Sequence, residues 1–460
     1  MSVEYRVVNP ANGEVVSTYP TATDAEVTEA VNRSAAAYPA WSQRPLAERV
    51  EIMRRVASLH TERKDELAAI ITREMGKTRK ESIEEVEYCD DIYSYYADQA
   101  ATLLADEPLD SDTGGRAFVR KSPIGPLIGV MPWNYPYYQV ARFAGPNLLV
   151  GNTILLKHAP QCPESALAMA RIFQDAGVPA DAYINLFATN EQVADIIADP
   201  RVRGVSVTGS ERAGTAVASQ AGAHLKKVVL ELGGSDAFVV LSTDDLPSVV
   251  DAAVSARMEN AGQACNAAKR FIVAEDLYDE FVNEMTERMA ALTIGNPEAD
   301  GTDYGPLSSE AAAKGLDSQV QDAVSKGAKV RTGGRRPDGP GAFYEATVLT
   351  DVTPQMRAFY EELFGPVAVV YKVANADEAV ELANDSPFGL GGAVFHTDPA
   401  VGLEIANRID TGMVWVNEAE GGGPELPFGG TKRSGVGREL GPYGIDEFVN
   451  RKLIHVPDGA

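Results

Sequence analysis

Cys265 and Glu231 are the residues of this sequence whose types and settings point most directly to covalent chemistry. Cys265 lies in Gly262-Gln263-Ala264-Cys265-Asn266-Ala267-Ala268-Lys269-Arg270, and Glu231 opens Glu231-Leu232-Gly233-Gly234, 34 residues upstream. A thiolate is a strong nucleophile, and a carboxylate that activates water would release whatever the thiol had bound. Glu231 follows the apolar run Val228-Val229-Leu230, so burial is expected to raise its pKa and suit it to base work near neutrality. Gly233 and Gly234 let backbone approach a ligand closely. Cys89 and Cys162 have no such setting and read as ordinary buried thiols.

A larger frame must hold this pair. Between 146 and 231 apolar strands (152–159, 182–188, 202–210, 225–234) alternate with amphipathic helices (164–177, 190–199, 211–222). This rhythm predicts a parallel sheet covered by helices, a scaffold suited to nucleotides. A second alternating region follows Glu231, with strands at 237–242, 269–275, 328–334, 368–373, 391–396 and 413–418. Upstream, Asp24 is placed as the N-cap of the first helix, and further helices run through about 45–75 and 78–105. Residues 117–132 switch to strands. The expected fold class is α/β, with two Rossmann-like parallel-sheet domains. Residues 1–116 and 123–230 would form a cofactor-binding domain and 231–420 a catalytic domain, with 421–443 a loop returning to the first.

Composition narrows the function classes. At 460 residues the chain is long enough for more than one core. A formal charge of -25 argues against nucleic acid, because phosphate binding needs a basic face. No apolar run approaches the roughly 18 residues of a membrane span. The N-terminus lacks the basic-then-apolar pattern of a secretory signal, so the expectation is a cytoplasmic protein without a membrane partner. The three cysteines and five histidines show no paired metal-ligand spacing, and no metal is expected.

Seven motifs, in order, resemble the aldehyde dehydrogenase superfamily over essentially the whole chain. They are PWNYP (132–136), LLKHAP (155–160), VTGSERAG (207–214), ELGG (231–234), GQAC (262–265), EELFGPV (361–367) and PFGG…SGVGRE (427–439). The nearest resemblance is to the succinate-semialdehyde dehydrogenase group, especially its shorter bacterial members with LLKHAP and GQACNAAKR. It implies that Cys265 attacks an aldehyde, that hydride departure to a nicotinamide leaves a thioester, and that Glu231 activates water to hydrolyse it. It makes the Asn134 side chain an oxyanion donor together with the backbone N–H of Cys265, a donor worth roughly 3–4 kcal/mol.

The same resemblance assigns Gly209 and Ser210 to a cofactor pyrophosphate, at a strand-to-helix turn whose N–H groups suit that role. It gives Lys157 the adenosine ribose, Glu362 the nicotinamide ribose and Phe364 the nicotinamide, with Trp133 and Gly214 in the same cofactor site. Residues 117–122 and 444–460 match segments that extend sheets between subunits, which implies a small β oligomerisation element and a homodimer or homotetramer.

Two positions depart from the pattern. Many NAD-specific members carry Glu three residues after the lysine, where this chain has Pro160, so NAD and NADP both stay open. Succinate-semialdehyde enzymes commonly grip the distal carboxylate with two arginines and a serine. Arg142, eight residues past Asn134, falls on the first arginine, but the second position is Glu259. The serine region, Glu420-Gly421-Gly422-Gly423-Pro424-Glu425, has no hydroxyl. The expected reaction is NAD(P)-dependent oxidation of an aldehyde to a carboxylate, with succinate semialdehyde first. Glutarate semialdehyde or a neutral aliphatic aldehyde are the alternatives. An enzyme passing its thioester to coenzyme A needs no water-activating base, so Glu231 counts against it. Cys265, Glu231 and Asn134 together count against a non-catalytic binding protein on the same fold.

Overall fold

A six-stranded and a seven-stranded sheet organise the chain in the computed structural model, which describes residues 4–112, 114–419 and 421–458. The first sheet runs in the order Gly435–Val436, Lys227–Glu231, Gly204–Thr208, Pro126–Val130, Thr153–Lys157, Tyr183–Asn185. All neighbours are parallel except Gly435–Val436, which pairs antiparallel with Lys227–Glu231. Thr153–Lys157 and Gly204–Thr208 are buried at every residue, as strands covered on both faces must be. The chain builds outward from Pro126–Val130 to Tyr183–Asn185, then returns to lay Gly204–Thr208 on the other side. Strand order therefore reverses beside Pro126–Val130. The carboxyl ends there lead into Trp133-Asn134 and Gly209-Ser210, and such a switch point opens a ligand crevice.

The second sheet runs Lys329–Thr332, Thr347–Thr350, Val367–Val373, Arg270–Ala274, Ala237–Val240, Gly392–Phe395, Trp415–Val416. Only Lys329–Thr332 is antiparallel to its neighbour. Apolar clusters cover both faces, one built around Phe238, Phe271 and Phe281 and the other around Val239, Ile272 and Val369. The α/β architecture with two parallel sheets is thus the one the strand–helix rhythm predicts.

Several local expectations need correction. The first helix, Asp24–Gln43, is capped by Thr23 rather than Asp24. The Thr23 hydroxyl accepts from Glu26 N–H while the Glu26 carboxylate accepts from Thr23 N–H, a reciprocal capping box that Asp24 cannot make. The helix Tyr138–Val150 has no counterpart in the sequence reading. Every residue after Tyr138 in it is buried, so no apolar stripe marks it, and Gly145-Pro146 reads as a break.

Residues 421–443 are more than a loop, since Thr431–Lys432 pairs with Phe388–Gly389 and Gly435–Val436 joins the first sheet. The C-terminal strand Val449–Val456 follows a short helix, Gly441–Asp446. Val449–Val456 pairs antiparallel with Arg116–Pro123 along its whole length, and Glu107–Leu109 completes a third sheet. Among the described residues no helix is long and apolar enough to cross a membrane, and no group of three His, Cys, Asp or Glu is placed to hold a metal.

Candidate active site

The segment before Cys265 is bent into an uncommon shape. After the helix Leu246–Met258, Asn260 (φ 50°), Ala261 (φ 54°) and Gly262 (φ 73°) take left-handed conformations in succession. For a non-glycine residue that costs roughly 1–2 kcal/mol. Hydrogen bonds offset it: Asn260 N–H donates to Glu81 Oε1 (2.8 Å), Asn260 Nδ2 to the Asn134 carbonyl (2.9 Å), and Arg257 Nη2 to the Gly262 carbonyl (2.6 Å). A Cβ at Gly262 would strike the Gly365 carbonyl, so the turn requires glycine there.

This bend delivers Cys265, half-buried, to the wall of a cavity of about 420 Å³. Tyr135, Tyr138, Trp415, Phe428 and Glu259 share the wall. Burial pushes the Cys265 thiol up to about 12, while Arg142 and Lys269 pull it back and Glu231 and Glu362 oppose them. Asn134 is buried beside this segment. One of its two amide hydrogens goes to the Gln263 carbonyl at 3.0 Å, which leaves the other for a ligand oxygen.

Glu231 ends the strand Lys227–Glu231, 1% exposed, and neither carboxylate oxygen has a hydrogen-bond partner among the described residues. A Cβ at Gly429 would stand 2.7 Å from Glu231 Oε1, so that glycine makes room for the carboxylate. Burial, then the neighbouring Glu439, holds the Glu231 carboxyl well above the usual range, and Arg142 works against both.

Arg142 lies behind the cavity wall. Its guanidinium sits between the rings of Tyr138 (4.8 Å) and Phe428 (4.5 Å), and its Nε is 2.7 Å from Glu439 Oε2. Glu259, the residue at the second arginine position, faces the cavity and accepts a hydrogen bond from the Tyr135 hydroxyl. Glu420 lies outside the described residues, while Gly421, Gly422 and Gly423 line the cavity.

The residues expected to hold a cofactor sit at or just past the carboxyl ends of the first sheet's strands and, for Glu362 and Phe364, just before Val367–Val373. Lys157, at the end of its strand, is 7% exposed and has no carboxylate partner among the described residues. Burial lowers its pKa to about 8. Ser210 caps the helix Glu211–Ala223, its hydroxyl accepting from Ala213 N–H, and a Cβ at Gly209 would meet open space. Gly214 serves packing, because a Cβ there would stand 2.6 Å from the Leu232 methyls. Glu362 accepts from Gly234 N–H at 2.9 Å, and a side chain at Gly233 would collide with it. Trp133 and Phe364 meet edge to face at 5.6 Å. A buried cation at one strand's carboxyl end, and open backbone at a helix N-terminus two strands away, fit a phosphate-bearing cofactor.

Sequence reasoning passed over Lys269 and Glu439, although both stand inside quoted motifs. Glu439 takes its importance from Arg142 and Ser206, far along the chain, while Lys269 holds the neighbouring Cys265 loop and stands near the distant Glu362.

The fold and this site define an oxidoreductase class, and the profile of the aldehyde dehydrogenase family matches residues 2–454: the chain belongs to that family. Among its relatives, the NADP+ succinate-semialdehyde dehydrogenase of Deinococcus radiodurans is 54% identical over 450 residues, covering 98% of this chain and 94% of that one. The enzyme of the same name from Mycobacterium avium is 45% identical over 452 residues, covering 98% and 96%. The crystal structure of succinic semialdehyde dehydrogenase from Streptococcus pyogenes in complex with NADP+ matches with a TM-score of 0.97 and 40% identity, covering 99% of this chain and all of that one.

Proposed function

We propose that the protein oxidises succinate semialdehyde to succinate with NADP+, using Cys265 as nucleophile and Glu231 as base. The observation that carries this reading is the buried, unpartnered carboxylate of Glu231 in the electrostatic neighbourhood of the cavity thiol Cys265. The Cys265 thiolate adds to the aldehyde carbon, and the Asn134 amide and the Cys265 N–H receive the resulting oxyanion. The nicotinamide cofactor supplies the hydride acceptor. Glu231 then takes a proton from water as the water oxygen attacks the thioester carbon. The C–S bond breaks, the carboxylate leaves and the thiolate is restored. Lys157 would hold the 2'-phosphate, Ser210 and the helix N-terminus behind it the pyrophosphate, and Glu362 the nicotinamide ribose. The names of the relatives and the lone cation Lys157 both support NADP+ over NAD+.

A steady-state panel tests this, crossing succinate semialdehyde, glutarate semialdehyde and butanal with NADP+ and NAD+. Succinate semialdehyde with NADP+ should give the highest kcat/KM. Lys157→Met should lower kcat/KM for NADP+ about 10–100-fold, the worth of a charge-assisted contact, and change NAD+ much less. Because Lys157 titrates near 8, its charge is present below that pH and lost above it. The advantage of NADP+ over NAD+ should therefore shrink as pH rises through 8 in the wild type and stay flat in Lys157→Met. Equal effects on both cofactors would remove Lys157 from phosphate binding.

The third sheet supports a homodimer or homotetramer. Its edge strand Val449–Val456 carries Leu453 and Val456 exposed, a liability if left unpaired in solution. Light scattering should give at least twice the chain mass, and a monomer at micromolar concentration would overturn this assembly.

A further inference from the structure

We infer that Lys269 is a positioning residue for the nucleophile: its ammonium pins the Cys265 loop from behind and brings positive charge beside the thiol. The inference rests on the reading of Cys265 as nucleophile and concerns a side chain that reading does not use. Lys269 is 1% exposed, and its Nζ donates to the carbonyls of Cys265 (3.0 Å), Ala267 (3.0 Å) and Ala264 (3.3 Å). All three hydrogens of an ammonium are thereby spent on one loop. The nearest carboxylate oxygen, Glu362 Oε1, stands farther off at 3.9 Å and already accepts from Gly234 N–H. A buried cation held by carbonyls and not by a close carboxylate is expensive to maintain, so a hydrophobic residue would serve stability better.

The geometry supplies the reason. In a trans peptide the C=O and N–H point in opposite directions, so holding the Ala264 carbonyl aims the Cys265 N–H away from Lys269. That N–H is the backbone donor proposed for the oxyanion. The Cys265 carbonyl is fixed on its other side by Gly234, where a Cβ would strike it. The charge balance around the thiol is close: Arg142 and Lys269 favour the thiolate, and Glu231 and Glu362 disfavour it. Around Lys269 stand Glu362, Asp236, Arg257 and the thiol itself. Removing Lys269 leaves one cation against two carboxylates.

The test is the pH dependence of Cys265 alkylation by iodoacetamide in the full-length protein, followed on the Cys265 peptide by mass spectrometry. Cys89 and Cys162 are fully buried and are read separately. Lys269→Met should raise the alkylation midpoint by about one pH unit, read as a reaction about tenfold slower at each pH below it. Lys269→Arg should restore the midpoint. Lys269→Gln keeps donors for the loop carbonyls without the charge, so its midpoint should still rise; an unmoved midpoint there means that only loop geometry was at work and overturns the inference, and the same variant decides should Lys269→Met fail to fold. Wild-type protein that keeps its turnover after alkylation at Cys265 overturns the nucleophile reading and this inference with it. Loss of turnover together with an unmoved midpoint in Lys269→Met overturns this inference alone.

Discussion

Glu231→Gln should yield about one equivalent of reduced cofactor per chain in a burst, then steady turnover some 10²–10⁴-fold slower than wild type, the range general-base catalysis supplies. Attack by Cys265 and hydride loss do not require this carboxylate; hydrolysis of the thioester does. Cys265→Ala should give neither burst nor turnover, since no covalent adduct forms, while cofactor binding persists. Stability provides an independent readout. Burial holds the folded pKa of Glu231 above its unfolded value, so the folded state binds the extra proton. Stability is then fullest below the ordinary carboxylate range and falls as pH rises toward the folded pKa. Gln does not titrate, so Glu231→Gln should unfold at a higher temperature than wild type at pH 8, with the gap closing in mild acid. A variant with unimpaired steady-state turnover would remove Glu231 from the chemistry, whatever its stability.

The two parallel sheets were legible because their strands are continuous apolar runs separated by periodic helices, signals carried by neighbouring residues. The helix Tyr138–Val150 was not, because a helix buried all round has no stripe, and its proline suggests a stop. Likewise Gly435–Val436 is a strand only because Lys227–Glu231 lies beside it. The site divides in the same way. The types of Cys265 and Glu231 advertise chemistry locally; Glu231 closes its strand, whereas Cys265 is placed by the bend after Leu246–Met258. What Arg142 touches is local only in part: Tyr138 lies one turn back on its own helix, and the other partners do not. Its sequence position suggested a distal-carboxylate anchor, yet its partner Glu439 lies almost three hundred residues on, and the rings that enclose it come from two separate segments. No spacing rule announces a pairing of that kind.

Arg142→Met is therefore the second large effect, and it separates two roles for the same charge. Loss of the guanidinium leaves Glu439 buried without its partner and Glu231 without the stronger of the two cations, Arg142 and Arg438, that favour its ionised form. Breaking a buried pair from one side typically costs about 3–5 kcal/mol. Both carboxyls should then hold their protons to still higher pH, so the destabilisation should grow as pH rises above the ordinary carboxylate range and ease in mild acid. Arg142 is also the stronger of the two cations acting on the Cys265 thiol. A thiol shifted by one unit costs about tenfold in thiolate at neutral pH. The expected result is a kcat at least about tenfold lower on succinate semialdehyde and on butanal alike, because the charge acts on the reacting groups from behind Tyr138 and Phe428. A direct anchor predicts something else: a raised KM for the anionic aldehyde, an unchanged KM for butanal and an unchanged kcat. That pattern would mean the guanidinium leaves Glu439 and turns into the cavity when substrate arrives, and the buried-pair account would fall.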